Sequence, residues 1–297
     1  MQISILIVNY NTEQFITHFL KDLTQQTLTT SQFEIIITNN VQNNMLSSTI
    51  QQAGLNQLLN IKIIPSNHNI GFGRGMNLAA QTASGKHLLI ANPDLRMLQN
   101  NYLEQLLTQG ESHLNYGIMT TQLINDDGDD KSEFYGFEFH ETFGYADKIQ
   151  WFSGALLLIR KEVFSLINGF DPDYFMYCED EDLCLRIKQK NLTLIKINDL
   201  KIYHKGGASE PYQNYDFFYR WYRSQLLFAH KHFTEGKFNT LLLQLSKTAK
   251  WKVRAYKLLA LLIPTARHRF QHAQWLAMYD IVHKTIQQST TWLYFRI

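Results

Sequence analysis

The sequence predicts an α/β protein: a doubly wound, mostly parallel sheet followed by a helical, basic extension. Three observations carry that expectation. Short apolar runs rich in β-branched residues alternate with stretches whose apolar residues recur at helical spacing. Several runs end in asparagine or aspartate, and in such sheets ligands sit beyond the carboxyl ends of the strands. Charge divides along the chain: residues 1–214 hold 15 Lys/Arg against 23 Asp/Glu, while residues 215–297 hold 13 against 3. The formal net charge of +2 therefore conceals an acidic body and a basic tail, and such a tail suits an anionic surface. The 297 residues allow one large domain with an appendage, with expected boundaries at 1–212 and 213–297. At 45% hydrophobic and 18% charged, the chain can fill a core and does not have the composition of a disordered protein.

The elements follow in order. Residues 3–8 read as a buried parallel strand that ends at Asn9-Tyr10-Asn11. Residues 12–26 read as a helix, with Phe15, Phe19, Leu20 and Leu23 on one face and Asn11 or Thr12 placed to cap it. Residues 33–38 form a second strand ending at Asn39-Asn40, and a helical stretch near 46–59 leads to a third strand at 61–64. Residues 71–84 are helical after a glycine-rich turn, and a fourth strand at 86–91 runs into Asn92-Pro93-Asp94. Beyond Asp94 the periodicity weakens. Residues 125–132, NDDGDDKS, read as a solvated polar tip over the active face. Residues 151–159, WFSGALLLI, form a buried strand in which Gly154 implies a close approach to the backbone. Residues 182–190 are expected as a helix, and 194–197 and 201–203 as short strands before His204 and a flexible KGGAS segment.

The stretch 169–186, GFDPDYFMYCEDEDLCLR, stands apart. Asp171, Asp173, Glu179, Asp180, Glu181 and Asp182 lie among Phe170, Tyr174, Phe175, Met176 and Tyr177. Carboxylates wedged against aromatics repel one another and lose water, which raises pKa values and produces competent bases. A plain loop followed by an acidic helix N-terminus accounts for the same acids. The turn NIGFGRGMN, residues 69–77, alternates Gly71, Gly73 and Gly75, so it is neither the dinucleotide fingerprint nor a P-loop. Its backbone is suited either to phosphate or to close packing.

Cys178 and Cys184 are too few and too poorly spaced for a zinc site or a disulfide framework, which fits a reducing cytoplasm. The N-terminus has no basic leader before its apolar run and reads as a strand rather than a signal peptide. No stretch approaches the ~20 apolar residues of a membrane span.

The ordered series NYN, Asn39-Asn40, NIGFGRGMN, NPD, SGALLLIRKEVF, GFDPDYFMYCEDEDLCLR and YHKGGAS, covering about 1–209, resembles the family 2 inverting glycosyltransferases with the GT-A fold. GT-A is a Rossmann-like, mostly parallel doubly wound sheet, and the series is most similar to bacterial rhamnosyltransferase-type members. The resemblance implies a nucleotide-diphospho-sugar donor and a divalent cation, Mg²⁺ or Mn²⁺. It places Asp94 at the last acid of the family's DxD motif, a metal ligand, with Asn92 where the family has the first acid. His204 matches a histidine that completes the metal or diphosphate site. Asp180 matches the general base, with Glu179 orienting or tuning it, and Asp182 is placed to anchor the helix through Arg186. Asn9, Tyr10, Asn11, Asn39, Asn40, Gly71, Gly73, Asn77, Asn92, Asp94 and Gly154 are the expected donor-binding set. Asn39 stands where the family often has an aspartate that contacts the base.

The expected function is transfer of a sugar, rhamnose by similarity, to a hydroxyl of a glycan or lipid-linked acceptor in bacterial surface polysaccharide synthesis. Two other classes fit the fold. A sugar-nucleotide-forming nucleotidyltransferase should carry a basic, glycine-rich loop after the first strand, and NYNTEQF is not one. An inactive glycan-binding protein would not need Asp94, Asp180 and His204 together. No nucleic-acid partner is expected. In the extension, Lys247, Lys250, Arg254 and Lys257 share one helical stripe beside Trp251, Ala255, Leu258 and Leu262. That pairing suits either peripheral contact with an anionic membrane at its cytoplasmic face or packing on the body with a solvated basic face.

Overall fold

The computed structural model describes residues 1–113, 115–145, 148–208, 210 and 212–294. It divides into two compact units: Met1–Asp171 with Glu179–Ser209, and Pro172–Cys178 with Glu210–Ile297. Residues 172–178 pack with the C-terminal helices rather than with the sheet.

The first unit opens with β1 (Ile3–Asn9), α1 (Glu13–Leu23), β2 (Phe33–Asn39), α2 (Met45–Gln52), α3 (Leu55–Leu58), β3 (Ile61–Pro65), α4 (Phe72–Thr82) and β4 (His87–Ala91). It continues with β5 (Leu95–Met97), α5 (Tyr102–Ser112), β6 (Tyr116–Ile124), β7 (Glu133–Phe134), β8 (Trp151–Phe152), β9 (Leu156–Arg160), α6 (Lys161–Leu166), α7 (Glu179–Gln189) and β10 (Thr193–His204). The main sheet has the order β3-β2-β1-β4-β9-β6-β10-β5, and β7 pairs with β8 as a separate ribbon. The ladders β1–β2, β2–β3, β1–β4 and β6–β10 are parallel, whereas β9 is antiparallel to both β4 and β6, and β5 is antiparallel to β10. Six strands therefore point one way. Their carboxyl ends share one edge with the amino ends of β9 and β5.

Side chains of β1 alternate between two buried faces, as the period of two requires. Ile3, Ile5 and Ile7 join Phe19, Tyr102 and Leu106 on one side, and Leu6 and Val8 join Met76, Leu183 and Ile187 on the other. Helices on both faces explain why the strand reads as an unbroken apolar run.

Several boundaries differ from the sequence reading. The helix expected near 46–59 breaks at Gly54, whose φ of 68° ends α2 and starts α3. The strand expected at 151–159 splits into β8 and β9 at residues 153–155. The two short strands near 194–203 are one strand, β10, with an irregularity between Ile197 and Lys201 in its pairing with β6. Helix α7 starts at Glu179 rather than at Asp182.

The second unit comprises residues 172–178 with α8 (Tyr215–His232), α9 (Glu235–Leu262) and α10 (Ala266–Gln288). Asn214, Thr234 and Thr265 cap these helices by accepting from the N–H of Phe217, Lys237 and His268. Leu226, Leu227, Phe228, Ala277, Met278, Ile281 and Val282 form its buried centre. Residues 172–178 are held to α8 by Lys231–Asp173 at 2.6 Å, by Ser224 Oγ donating to the Met176 carbonyl at 2.7 Å, and by Tyr177 against Trp221.

Candidate active site

The chemistry-bearing residues of the first unit collect at the shared strand edge. Asp94 lies between β4 and β5, and His204 ends β10 opposite Leu95 in the β5 ladder. His204 Nε2 is 3.4 Å from Asp94 Oδ1 and 3.4 Å from the Asn92 side-chain amide nitrogen. Asp94 is buried, with 4% of its surface exposed. Burial works against its charge, but the hydrogen bond from His204 and the Gly206 N–H together hold its pKa below the usual aspartate value. The segment after His204, expected to be flexible, is fastened here: Lys205 N–H donates to the Asp94 carbonyl, and Gly206 and Gly207 take positive φ. Gly206 is the site residue the sequence reading missed. The doubled glycine after a strand-end histidine is its signal, since the left-handed backbone it supplies is costly for other residues.

The second group lies in the first turn of α7. Asp180 Oδ2 accepts the Gly154 N–H at 2.8 Å, and Oδ1 accepts the Glu181 N–H at 3.0 Å. A Cβ added to Gly154 would sit 3.2 Å from Asp180 Cβ and 3.3 Å from Oδ2. The close approach expected at Gly154 is therefore that of Asp180. Burial pushes the Asp180 pKa up, and the two N–H bonds offset only part of that. Glu179 is raised well above the usual carboxylate value, first by burial and then by the charges of Asp180, Glu181 and Asp182. Its Oε2 is buried with no hydrogen-bond partner among the described residues. Asp182 points away from this pair, bound to Arg186 at 2.7 Å, while Arg186 also donates to the Ile167 carbonyl. Two consecutive left-handed residues, Tyr177 (φ 72°) and Cys178 (φ 66°), lead into the helix. Non-glycine residues take that conformation at a cost and cluster at functional sites.

Residues 153–155 join the two groups. While Gly154 N–H binds Asp180, the carbonyl of Ala155 accepts the Asn92 N–H at 2.9 Å. Ser153 N–H donates to the Ser132 carbonyl, so the 125–132 loop supports the same segment. That loop is pinned rather than simply solvated: Asp130 pairs with Lys196 at 2.6 Å and Asp126 accepts from Tyr203 Oη at 2.5 Å.

The remaining expected donor-binding residues separate into two sets. Tyr10 and Asn11 are exposed at the end of β1, Asn11 with a φ of 57°. Asn9 is buried and braces the edge: its amide donates to Asn39 Oδ1 at 2.8 Å, and its Oδ1 accepts from Thr12. Asn39 in turn donates to the Val41 carbonyl at 3.0 Å. Asn40 donates to Asn69 and to the Gly71 carbonyl, and its buried Oδ1 has no partner among the described residues. The glycine turn and Asn77 are engaged in contacts within the fold. Gly71 takes a φ of 87°, and its N–H and carbonyl are used by Asn69 and Asn40. A Cβ on Gly73 would meet Phe170 at 2.9 Å, so this glycine serves helix packing. Asn77 donates to the Phe170 carbonyl at 2.7 Å and accepts its N–H at 2.9 Å, holding the start of the acidic stretch rather than presenting a free amide.

Among the described residues no three His, Cys, Asp or Glu side chains converge as a metal cage. A closed cage is not what a diphosphate-binding cation needs, because such ions take one or two protein ligands and fill the rest of their shell with phosphate oxygens and water. The buried, ionised Asp94 beside an imidazole fits that requirement.

The fold and these motifs agree with comparison to known proteins. The profile described as glycosyl transferase family 2 matches residues 4–167, and that of the N-terminal domain of galactosyltransferase matches 137–205. Rhamnosyltransferase WbbL of Escherichia coli is 26% identical over 218 residues, covering 64% of this chain and 78% of the relative. The N-acetylglucosaminyl-diphospho-decaprenol L-rhamnosyltransferase of Mycobacterium tuberculosis is 22% identical over 194 residues, covering 53% of this chain and 63% of the relative. In fold, the chain is similar to the mannosyltransferase PcManGT from Pyrobaculum calidifontis, solved with GDP-Man and Mn²⁺, at a TM-score of 0.60 and 13% identity over 97% of this chain and 88% of that one. It is also similar to S. aureus TarS, solved with UDP-GlcNAc, at a TM-score of 0.56 and 17% identity over 97% of this chain and 92% of that one. The architecture is therefore GT-A, and the chain belongs to glycosyl transferase family 2, with rhamnosyltransferases among its relatives.

Proposed function

We propose that the protein transfers a sugar, with inversion, from a nucleotide-diphospho-sugar to a hydroxyl group of a glycan or lipid-linked acceptor in the synthesis of a bacterial surface polysaccharide. The rhamnosyltransferase relatives favour rhamnose as the sugar. The observation that carries the reading is the placement of Asp180: a carboxylate with a raised pKa, aimed by the Gly154 N–H one residue from the Ala155 carbonyl that holds Asn92.

Asp180 accepts the proton of the acceptor hydroxyl, whose oxygen forms the new bond to the anomeric carbon. The bond from that carbon to the diphosphate breaks on the opposite side, and its electron pair leaves with the diphosphate. Glu179 lies beside Asp180 in the same turn, and burial together with the Asp180 charge makes it hold a proton more tightly than an ordinary glutamate. Asp94 and His204, with the Asn92 amide adjacent, are the residues that would hold a divalent cation. When bound, Mg²⁺ or Mn²⁺ supplies positive charge against the diphosphate oxygens. Exposed Tyr10 and Asn11 are placed to contact the donor at the end of β1.

The test is incubation with a panel of nucleotide-diphospho-sugars, Mn²⁺ and a lipid-diphosphate-linked saccharide, with the product anomer assigned by NMR. A product of opposite anomeric configuration to the donor is expected. Retention would exclude single displacement, and pyrophosphate exchange without glycoside formation would indicate nucleotidyl transfer instead.

A further inference from the structure

The helical unit ends in a hairpin whose tip has the composition of a membrane anchor. Helices α9 and α10 are joined by residues 263–265, a short ordered turn. Ile263 N–H closes on the Leu259 carbonyl, His268 Nδ1 contacts the Ile263 carbonyl at 2.7 Å, and the Thr265 hydroxyl caps α10. The inner face of α9 is satisfied by Phe238, Leu242 and Ala249, which are buried. Its outer face near the turn is not: Trp251, Leu258, Leu261, Leu262 and Ile263 are 53–72% exposed. Single exposed apolar residues are ordinary, but five large ones within one helix end and its turn mark a binding surface.

Charge identifies what covers it. Residues 236–279 hold eight Lys/Arg and no Asp or Glu. Lys247, Lys250, Arg254, Lys257, Arg267 and Arg269 are all exposed along this hairpin. A second copy docking through the same face would oppose like charges across a two-fold axis. Nucleic acid would match the charge but give the aliphatic tip nothing to bury in. An anionic phospholipid surface satisfies both, with the headgroups meeting the cations and the acyl boundary taking the leucines. No helix among the described residues is long and apolar enough to cross a membrane, so the contact is peripheral. We infer that the α9–α10 tip docks the protein onto anionic phospholipid through Leu258, Leu261, Leu262 and Ile263, with the exposed Lys250, Arg254, Lys257, Arg267 and Arg269 on the adjoining turns of α9 and α10 meeting the headgroups.

The full chain is expected to co-sediment with phosphatidylcholine vesicles containing phosphatidylglycerol, to ignore pure phosphatidylcholine, and to be largely released by high salt. The triple variant Lys250→Gln, Arg254→Gln, Lys257→Gln should lower partitioning about 10²-fold, at about fivefold per cation. The double variant Leu261→Gln, Leu262→Gln replaces solvent-exposed side chains, so its fold should persist by circular dichroism, and it should lose about tenfold per leucine. Equal binding to both vesicle types, no binding to either, or unchanged binding by both variants would overturn the inference. So would a dimer in sedimentation equilibrium that the leucine variant dissociates, which would assign the face to a second copy. Tighter binding to a short DNA duplex than to the anionic vesicles would assign it to nucleic acid, with the same consequence.

Discussion

Replacing Asp180 with asparagine is expected to lower turnover at least about 10²-fold, the range for loss of a positioned general base. Asparagine keeps the size of the side chain, and its Oδ1 can still accept the Gly154 N–H, so the fold should be retained. Donor affinity should be retained too, because Tyr10 and Asn11 after β1 and Asn92 and Asp94 between β4 and β5 are untouched, and the Gly154 N–H keeps an acceptor. The combination of an intact thermal transition, near-wild-type donor binding by calorimetry and a collapsed kcat separates a chemical role from a structural one. Activity near wild type would remove Asp180 from the reaction and turn attention to Glu179, its neighbour in the same turn.

Stripping divalent cations should have an effect of similar or larger size. Charge neutralisation at a leaving diphosphate contributes several kcal/mol to the transition state, about 10³-fold or more in rate. EDTA is therefore expected to abolish transfer, and Mg²⁺ or Mn²⁺ to restore it. Asp94→Ala should raise the Mn²⁺ concentration needed for half-maximal activity, and His204→Ala should do so to a smaller degree. Asp94 supplies the charge and the buried position, whereas His204 supplies a neutral or cationic ring 3.4 Å away. Asn92 already removes one negative charge from this turn, so a weak apparent metal affinity in the wild type is part of the expectation. Full activity in chelator would show that cationic side chains offset the diphosphate charge instead.

The parts legible in the sequence share a physical reason, as do those that were not. Strands β1, β2 and β4 are covered by helices on both faces, so Ile3–Asn9, Phe33–Asn39 and His87–Ala91 run almost without polar interruption. Strand β6 is just as buried, yet it carries Thr120 and Thr121 in mid-strand. Their hydroxyls bond the Leu156 carbonyl and Tyr102 Oη, partners that only the tertiary structure supplies. The start of α7 was hidden for a different reason. Four consecutive acids resemble a loop, and the left-handed pair Tyr177 and Cys178 that precedes them leaves no mark on residue type.

In the site, the asparagines at strand ends pointed correctly to the shared edge but not to separate tasks. Asn9 and Asn39 hold each other, while Asn92 sits against His204. The alternating glycines of α4 suited phosphate and packing equally well as a sequence. The neighbours Phe170 of Gly73 and Val8 of Gly75, distant in the chain, show that these two positions are closely packed. Gly154 was the most informative single position, since a glycine inside an apolar strand signals an approaching group, and here that group is Asp180.

The pH dependence of kcat/KM in wild type and in Asp180→Asn tests the central claim most directly. This parameter reports the ionisation of the free enzyme's essential groups. Asp180 accepts a proton only when ionised, and burial holds its pKa above the usual aspartate value. The wild-type profile should therefore fall on the acid side, as pH drops through a value higher than that of an ordinary aspartate. The residual activity of Asp180→Asn should lack that limb, while Asp94→Ala should keep it. An acid limb at the same pH in Asp180→Asn would contradict the assignment of Asp180 as the base.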